Sequence, residues 1–292
     1  VKIEKKDLDP GLYFVATPIG AARDITLRAL DILASADVLA AEDTRTLRRL
    51  MQIHGIALGE RQILAYHDHN GARMRPKLIG LMQEGRSVAY ASDAGTPLVA
   101  DPGFPLAREA LAEGLAVTSA PGPSAVMAAL SVAGLPTDRF LFAGFPPAAK
   151  GARASWMAEL LAVPATLVLY ETPRRIARFL TELAELGAGD RAGAVCRELT
   201  KRFEEVRRGS IAELAEQVAT ESLKGEIVVV IDRDRAAQSD LGVEEALLGK
   251  RLELSLKDAV KEVALEFGLP RREVYQRALA LDAEHKTQED HT

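Results

Sequence analysis

Short apolar runs recur along the chain. Each ends in a polar, turn-forming cluster, and most lead into a stretch with apolar positions three and four residues apart. Leu12-Tyr13-Phe14-Val15-Ala16 is the first, ending at Thr17-Pro18-Ile19-Gly20, and Thr26 then opens a pattern carrying Leu27, Leu30, Ile32 and Leu33. Runs this short, bounded by glycine and proline, predict buried strands, and their alternation with helical spacing predicts α/β architecture. Val38-Leu39-Ala40-Ala41 runs into Glu42-Asp43-Thr44-Arg45, and Ser87-Val88-Ala89-Tyr90-Ala91 into Ser92-Asp93-Ala94-Gly95-Thr96-Pro97. Ala116-Val117-Thr118 leads to Pro121-Gly122-Pro123-Ser124, where Ser124 is in position to cap a helix.

A second set follows. Thr166-Leu167-Val168-Leu169-Tyr170 ends at Glu171-Thr172-Pro173, Gly193-Ala194-Val195-Cys196 is shorter, and Ile227-Val228-Val229-Val230-Ile231 is the most apolar. Residues 254–281 predict two amphipathic helices joined at Phe267-Gly268-Leu269-Pro270, as in a small helix-turn-helix. Boundaries near Gly122 and near residues 235–240 divide the chain into an α/β domain (1–122), a second α/β domain (123–237) and a helical tail (238–292). Thr-Pro closes a strand at residues 17–18, 96–97 and 172–173, where proline suits the first turn of a helix.

Composition narrows the class. With 292 residues, 48% of them apolar, the chain has material for roughly two ordinary domains. The single cysteine, Cys196, forms no internal disulfide and fits a reducing cytoplasm. The charged N-terminal residues lack the apolar core of a secretion signal, and the longest apolar stretch, 116–135, is broken by Pro121-Gly122-Pro123, so no membrane span is expected. The net charge is −5, from 37 basic and 42 acidic residues, so any contact with nucleic acid must come from local basic clusters.

No glycine-rich dinucleotide or phosphate-cradling fingerprint is present. The loops at 18–20, 92–97 and 121–125 instead all follow strand C-termini, where ligands bind in open α/β sheets. Singly each is as readily a turn; together they indicate a shared ligand site. Glu42-Asp43-Thr44-Arg45 reads either as a solvated helix cap with a salt bridge or as a substrate-orienting, proton-accepting cluster. His67-Asp68-His69 offers at most two metal ligands and reads as an exposed loop, so no metal site is expected. Cys196 reads as an inert core thiol, and Trp156 and the eight phenylalanines as mainly core. Residues 197–209, with Arg197, Lys201, Arg202, Arg207 and Arg208, read as a solvated face or, joined by Lys150, Arg153, Arg174, Arg175, Arg271 and Arg272, as an RNA footprint.

These residues bear a resemblance. The ordered segments Leu12 to Gly20, Asp24 to Leu30, Ala41 to Arg45, Ser92 to Pro97, Asp101-Pro102-Gly103, Pro121 to Ala125 and Leu135 to Asp138 resemble the ribosomal RNA small subunit methyltransferase I family. That family is a branch of the tetrapyrrole-methylase superfamily. Tyr170-Glu171, Pro173 to Ile176, Arg197 to Lys201 and Lys224-Gly225-Glu226 extend the match, which covers about residues 11–232. It implies two α/β domains with a deep cleft between them, a homodimer, and S-adenosylmethionine bound in folded form. The implied reaction is methylation of a cytidine ribose 2′-hydroxyl in the decoding centre of 16S rRNA, on the small ribosomal subunit.

Carried over by position, Ile19 and Gly20 would line the cofactor. Gly95, Thr96 and Val99 would face its methionine part, with Ser92 and Asp93 behind, and Ser124 and Ala125 would meet it from the domain junction. Tyr170, Cys196 and Gly225 would border the adenosine. Glu42, Asp43 and Asp93 are the candidate bases; Arg23, Arg45 and Lys201 the candidates to orient phosphate or stabilise an alkoxide; Lys150, Arg153, Arg174 and Arg197 would extend the RNA contact. Ala21-Ala22 replaces the family's usual Asn-Leu, removing an amide from the cleft mouth. Two other readings stand beside this one: a methyltransferase of porphyrinogen or corrin rings, favoured by the acidic charge, and a non-catalytic binding module with a decayed site at Ala21-Ala22.

Overall fold

The computed structural model describes residues 2–233, 235–252, 254–267 and 269–289, and only the backbone of 235–241 and 282–289. Two five-stranded sheets organise the described residues. The first contains β1 (Gly11–Val15), β2 (Val38–Ala41), β3 (Ile63–Ala65), β4 (Ser87–Ala91) and β5 (Val117–Ala120) in the order β3-β2-β4-β1-β5. All its neighbours are parallel, with Val15 level with Ala91 and Ala120. Parallel strands need crossovers that bury both faces, which is why β2 and β4 carry no polar alternation and are buried throughout. Helices α1 (Leu27–Ser35) and α2 (Thr44–Ile53) cover one face through Leu33, Leu47 and Met51. Helices α3 (Gly71–Gln83) and α4 (Phe104–Ala112) cover the other through Leu78, Met82 and Leu106.

The second sheet has the order β6-β7-β10-β8-β9, from β6 (Phe140–Gly144), β7 (Thr166–Glu171), β8 (Ala192–Arg197), β9 (Glu205–Ser210) and β10 (Ile227–Ile231). Only the β6–β7 pair is parallel. Helices α6 (Lys150–Leu161), α7 (Ile176–Leu183) and α8 (Ile211–Ala219) bury one face. Helix α5 (Ala125–Ala133) follows directly on the first sheet in sequence, yet packs its Val126, Ala129 and Leu130 against Val168, Cys196 and Val228 of the second. The chain therefore changes sheets at 121–124, and the carboxyl ends of β1, β2, β4 and β5 face the second sheet across a cleft.

Beyond β10, α9 (Arg235–Arg251), α10 (Leu256–Glu266) and α11 (Arg271–Glu289) form a separate cluster. Its core holds Val243, Leu247, Val260, Val263, Val274 and Ala278, each helix contributing residues three or four apart. Residues 235–240, read from sequence as a boundary, are thus the first turns of a helix. Gly268 of the predicted turn lies outside the described residues. No helix among the described residues is long and apolar enough to cross a membrane.

Several local expectations are corrected. None of Pro18, Pro97 and Pro173 opens a helix: each sits in an extended or turn segment at the cleft. Three strands escaped the pattern. β3 has only three residues, β6 lies at an edge, and β9 (EVRRGS) carries its charges on an edge strand, where Arg207 pairs with Glu205 and Glu221. The phenylalanines are not mainly core. Phe14 and Phe179 are, but Phe104, Phe140, Phe145 and Phe203 are exposed, and guanidinium groups of Arg108 and Arg202 lie over Phe104 and Phe203. Trp156 is only partly buried.

Candidate active site

Three loops from the first sheet are stitched together. Thr17 and Gly95 exchange both backbone hydrogen bonds, at 2.9 and 3.0 Å, joining the loop after β1 to that after β4. The Thr17 hydroxyl donates to Ser92 O and the Ser92 hydroxyl to Gly95 O, both at 3.1 Å. The Thr96 hydroxyl donates to Pro123 O at 2.8 Å, adding the loop after β5. Gly95 has φ +82°, a conformation that favours glycine. Leu98 and Ala100 hold positive φ without being glycine, at 71° and 59°. The Asp101 carboxylate holds that strained turn, accepting from the backbone N–H of Leu98 (2.8 Å) and Gly103 (2.7 Å).

The second sheet supplies the facing wall. Gly225 has φ +95°, and a Cβ there would lie 2.4 Å from the Glu198 side chain. Glu198 accepts from the Glu226 backbone N–H (3.0 Å) and from Lys201 (2.8 Å), and Lys201 also pairs with Glu226 (2.9 Å). Glu198 and Thr200 are again positive-φ residues. The Thr200 hydroxyl accepts the Ala21 N–H at 3.0 Å, bridging the two halves. A Cβ on Gly20 would strike Lys201 and Thr200, so glycine is required for this approach. Tyr170 stacks edge-on against Phe142 (4.9 Å) and Phe145 (5.4 Å).

These walls enclose a cavity of about 330 Å³, and a second of about 300 Å³ adjoins it. Of the residues expected to contact a cofactor, Ile19, Ser92, Asp93, Gly95 and Thr96 line the first cavity, as do Val99, Ser124, Ala125, Tyr170 and Gly225. Ser124 occupies the N-cap position of α5 but makes no capping hydrogen bond. Gly20 lies instead on the second cavity. Cys196 lines neither: it is buried behind the wall against α5, and burial pushes its thiol up to about 11.

The Glu42-Asp43-Thr44-Arg45 cluster divides. Glu42 faces the first cavity, and burial, reinforced by the nearby Asp93 charge, raises its carboxyl above the usual range. Asp43 is the N-cap of α2 and binds Arg45 at 2.6 Å, a pair that holds its carboxyl down to about 2. Arg45 is 88% exposed, and neither residue lines a cavity. Asp43 caps α2 and Arg45 is engaged with it, so the structure does not bring either side chain to the cavities with Glu42. Asp43 contributes through its backbone N–H, which donates to Asp93 at 2.8 Å.

The basic residues are dispersed. Arg153 is 1% exposed and spends its donors on Glu182 and on the carbonyls of Pro147 and Ala148, so it is structural and offers nothing to RNA. Arg197 pairs with Glu205 at 3.0 Å. Arg23, Lys150 and Arg174 are exposed and line neither cavity; Lys201 lines the second. His67 and His69 stack edge-on at 6.0 Å, and the described residues contain no cluster of three metal-ligating side chains.

Sequence reasoning missed Asp101, Phe145, Thr172 and Glu226, which also line the first cavity. Asp101-Pro102-Gly103, a turn placed after the Gly-Thr-Pro loop, and Lys224-Gly225-Glu226 were signals for two of them. The first cavity has a further property: its lining contains carboxylates (Glu42, Asp93, Asp101, Glu171, Glu226) and no lysine, arginine or histidine, although Glu171 is paired with Arg175 behind the wall. An apolar chamber with acidic edges suits a cationic ligand of nucleoside size and repels a phosphate.

Residues 11–215 match the family described as tetrapyrrole (corrin/porphyrin) methylases, and residues 243–282 match the RsmI C-terminal HTH domain. A ribosomal RNA small subunit methyltransferase I from Mesorhizobium japonicum is 47% identical, over 96% of this chain and 95% of its own. One from Xylella fastidiosa is 45% identical, over 91% and 98%. Among solved structures, uroporphyrin-III-C-methyltransferase from Thermus thermophilus shares the fold with a TM-score of 0.54 at 24% identity, covering 76% of this chain and 94% of that one.

Proposed function

The chain belongs to the ribosomal RNA small subunit methyltransferase I family of tetrapyrrole methylases, and from that premise we propose that it transfers a methyl group from S-adenosylmethionine to the ribose 2′-hydroxyl of a decoding-centre cytidine in 16S rRNA. The observation that carries the reading is the charge of the first cavity, acidic and free of basic side chains. S-adenosylmethionine, cationic at sulfur and at its amino group, fits such a lining. Bound there, it supplies a methyl group already activated by the sulfonium and leaves as a neutral thioether.

The chain's own residues then have three tasks. Gly95 and Thr96 on one side and Gly225 on the other bring backbone close to the ligand. Tyr170 and Phe145 exclude water from the aromatic side of the cavity, and Ser124 and Ala125 close it at the junction of the sheets. Glu42 is the proton acceptor we assign. Its raised carboxyl is a better match to a weakly acidic hydroxyl than Asp43, whose ion pair makes it a poor base. Residues 1–122, 123–237 and 238–292 act as the two walls of the cleft and an RNA-contacting tail, in a cytoplasmic homodimer working on the small subunit.

Isothermal titration with S-adenosylmethionine and labelled methyl transfer test this. Micromolar binding and label in a subunit ribose support it. Label in a porphyrinogen and none in RNA would replace it with the tetrapyrrole reading.

A further inference from the structure

The second cavity differs from the first in charge and in construction. It opens between α2 and the loop carrying Pro18 and Gly20, and it shares Ile19, Ser92, Asp93, Ala94 and Glu226 with the first. Its distinct wall is one face of α2: Thr46, Arg49, Leu50 and Ile53, at the three-and-four spacing that aligns residues along a helix. Ile53 is 55% exposed, an aliphatic surface held in water at a cavity mouth. Arg49 has no carboxylate partner among the described residues, whereas Arg45 is tied to Asp43, and Lys201 to Glu198 and Glu226. The chamber thus offers one unengaged guanidinium and an aliphatic platform; the wall it shares with the first cavity carries the carboxylates of Asp93 and Glu226, the latter paired with Lys201.

We propose that this chamber receives the acceptor as a single unstacked nucleotide, with Arg49 holding its phosphate and the base lying on Ile53 and Leu50. The proposal rests on the methyl-transfer reading above and specifies its substrate subsite. A volume of about 300 Å³ accommodates one nucleotide and no duplex, so the target must leave its stack, as it does for enzymes that modify nucleotides within folded nucleic acid. A planar guanidinium free of intramolecular partners suits a phosphate. A tetrapyrrole, with carboxylates on several arms, would need more than one such cation. The shared wall at Asp93 and Ala94 is where the ribose would meet the first cavity. Arg49 and Ile53 are accordingly positioning residues for the substrate.

The test compares R49A, R49K, I53W and R48A with the wild-type protein. Arg48 lies on the same helix off the chamber face, so R48A removes the same charge without touching the subsite. Labelled methyl transfer to small ribosomal subunits gives kcat and KM, calorimetry gives S-adenosylmethionine affinity, and circular dichroism checks the fold. R49A should raise the RNA KM about tenfold with kcat within about twofold of wild type, and R49K should recover part of the loss. I53W, filling the chamber from a solvent-exposed position, should lower kcat/KM by more than about tenfold with cofactor affinity unchanged. R48A should behave as wild type. Equal losses in R48A and R49A would reduce Arg49 to general attraction and overturn its role. Wild-type constants in R49A and I53W, or lost cofactor affinity in I53W, would overturn the subsite. A wild-type protein that binds the cofactor but labels no RNA defeats the underlying reading, and the proposal with it, before any variant is compared.

Discussion

Glu42 and Asp43 are neighbours in sequence with opposite environments, and the difference is testable by titration. Glu42 and Asp101 are half-buried beside the first cavity, and loss of solvent raises both carboxyls. A cationic ligand favours their charged forms, so its binding must release protons. Affinity for S-adenosylmethionine should therefore tighten as pH rises from about 4.5 through the raised Glu42 range and then level off. Calorimetry in two buffers of different ionisation enthalpy reads the proton release directly. Glu42→Gln should reduce that release to the share of Asp101 and lower kcat by about a hundredfold, whereas Asp43→Asn and Arg45→Ala should retain near-wild-type turnover in the labelled-methyl assay. Cys196 makes an independent check. Its thiol, pushed up to about 11 and 1% exposed, should resist alkylation at pH 8 in the native protein and react fully in denaturant, as read by mass spectrometry.

At the scale of elements, the legible and the hidden separate by their physics. The buried parallel strand β4 and the five-residue apolar run of the antiparallel β10 announce themselves because both faces lie against helices. β9 does not, because an edge strand carries its ion pairs on the outside, and α9 does not, because residues 235–251 mix charges with glycine and apolar residues without a clean stripe. The same distinction explains Arg153. A basic residue on a helix reads as solvated, yet α6 turns this one inward. There it binds Glu182 and, together with Arg175, holds the carbonyls of the loop that carries Phe145. Glu171, also buried, pairs with Arg175 at 3.3 Å. Arg153→Met should leave Glu182 without its strongest partner and destabilise the fold by about 3–5 kcal/mol, a loss measured as a lower urea midpoint. The capping box of α8, in which Ser210 and Glu213 exchange side-chain and backbone bonds, predicts a cost of only about 1 kcal/mol for Ser210→Ala in the same assay.

For the whole molecule, the cleft is a joint product of distant segments. Ala21 meets Thr200 and Gly20 lies against Lys201, so each half completes the other. Glycine-rich loops at strand ends marked one side of the cleft in the sequence. Phe145 on the opposite side and the Arg49 face of α2 beside those loops carried no local sign, because those residues acquire meaning only when the sheets face one another. The backbone N–H of Ala21 bridges the halves whatever its side chain. Ligand in the cleft should accordingly bind the folded state alone. S-adenosylmethionine at about a hundred times its Kd should add about 2.7 kcal/mol of stability, seen as an upward shift in Tm.

The most direct test of the central claim is methyl transfer from labelled S-adenosylmethionine to unmodified small ribosomal subunits, with naked subunit RNA and a porphyrinogen panel alongside. The account predicts label in the subunit RNA, located on a ribose after nuclease digestion. Label confined to a porphyrinogen, or no label in RNA despite measured cofactor binding, would contradict it.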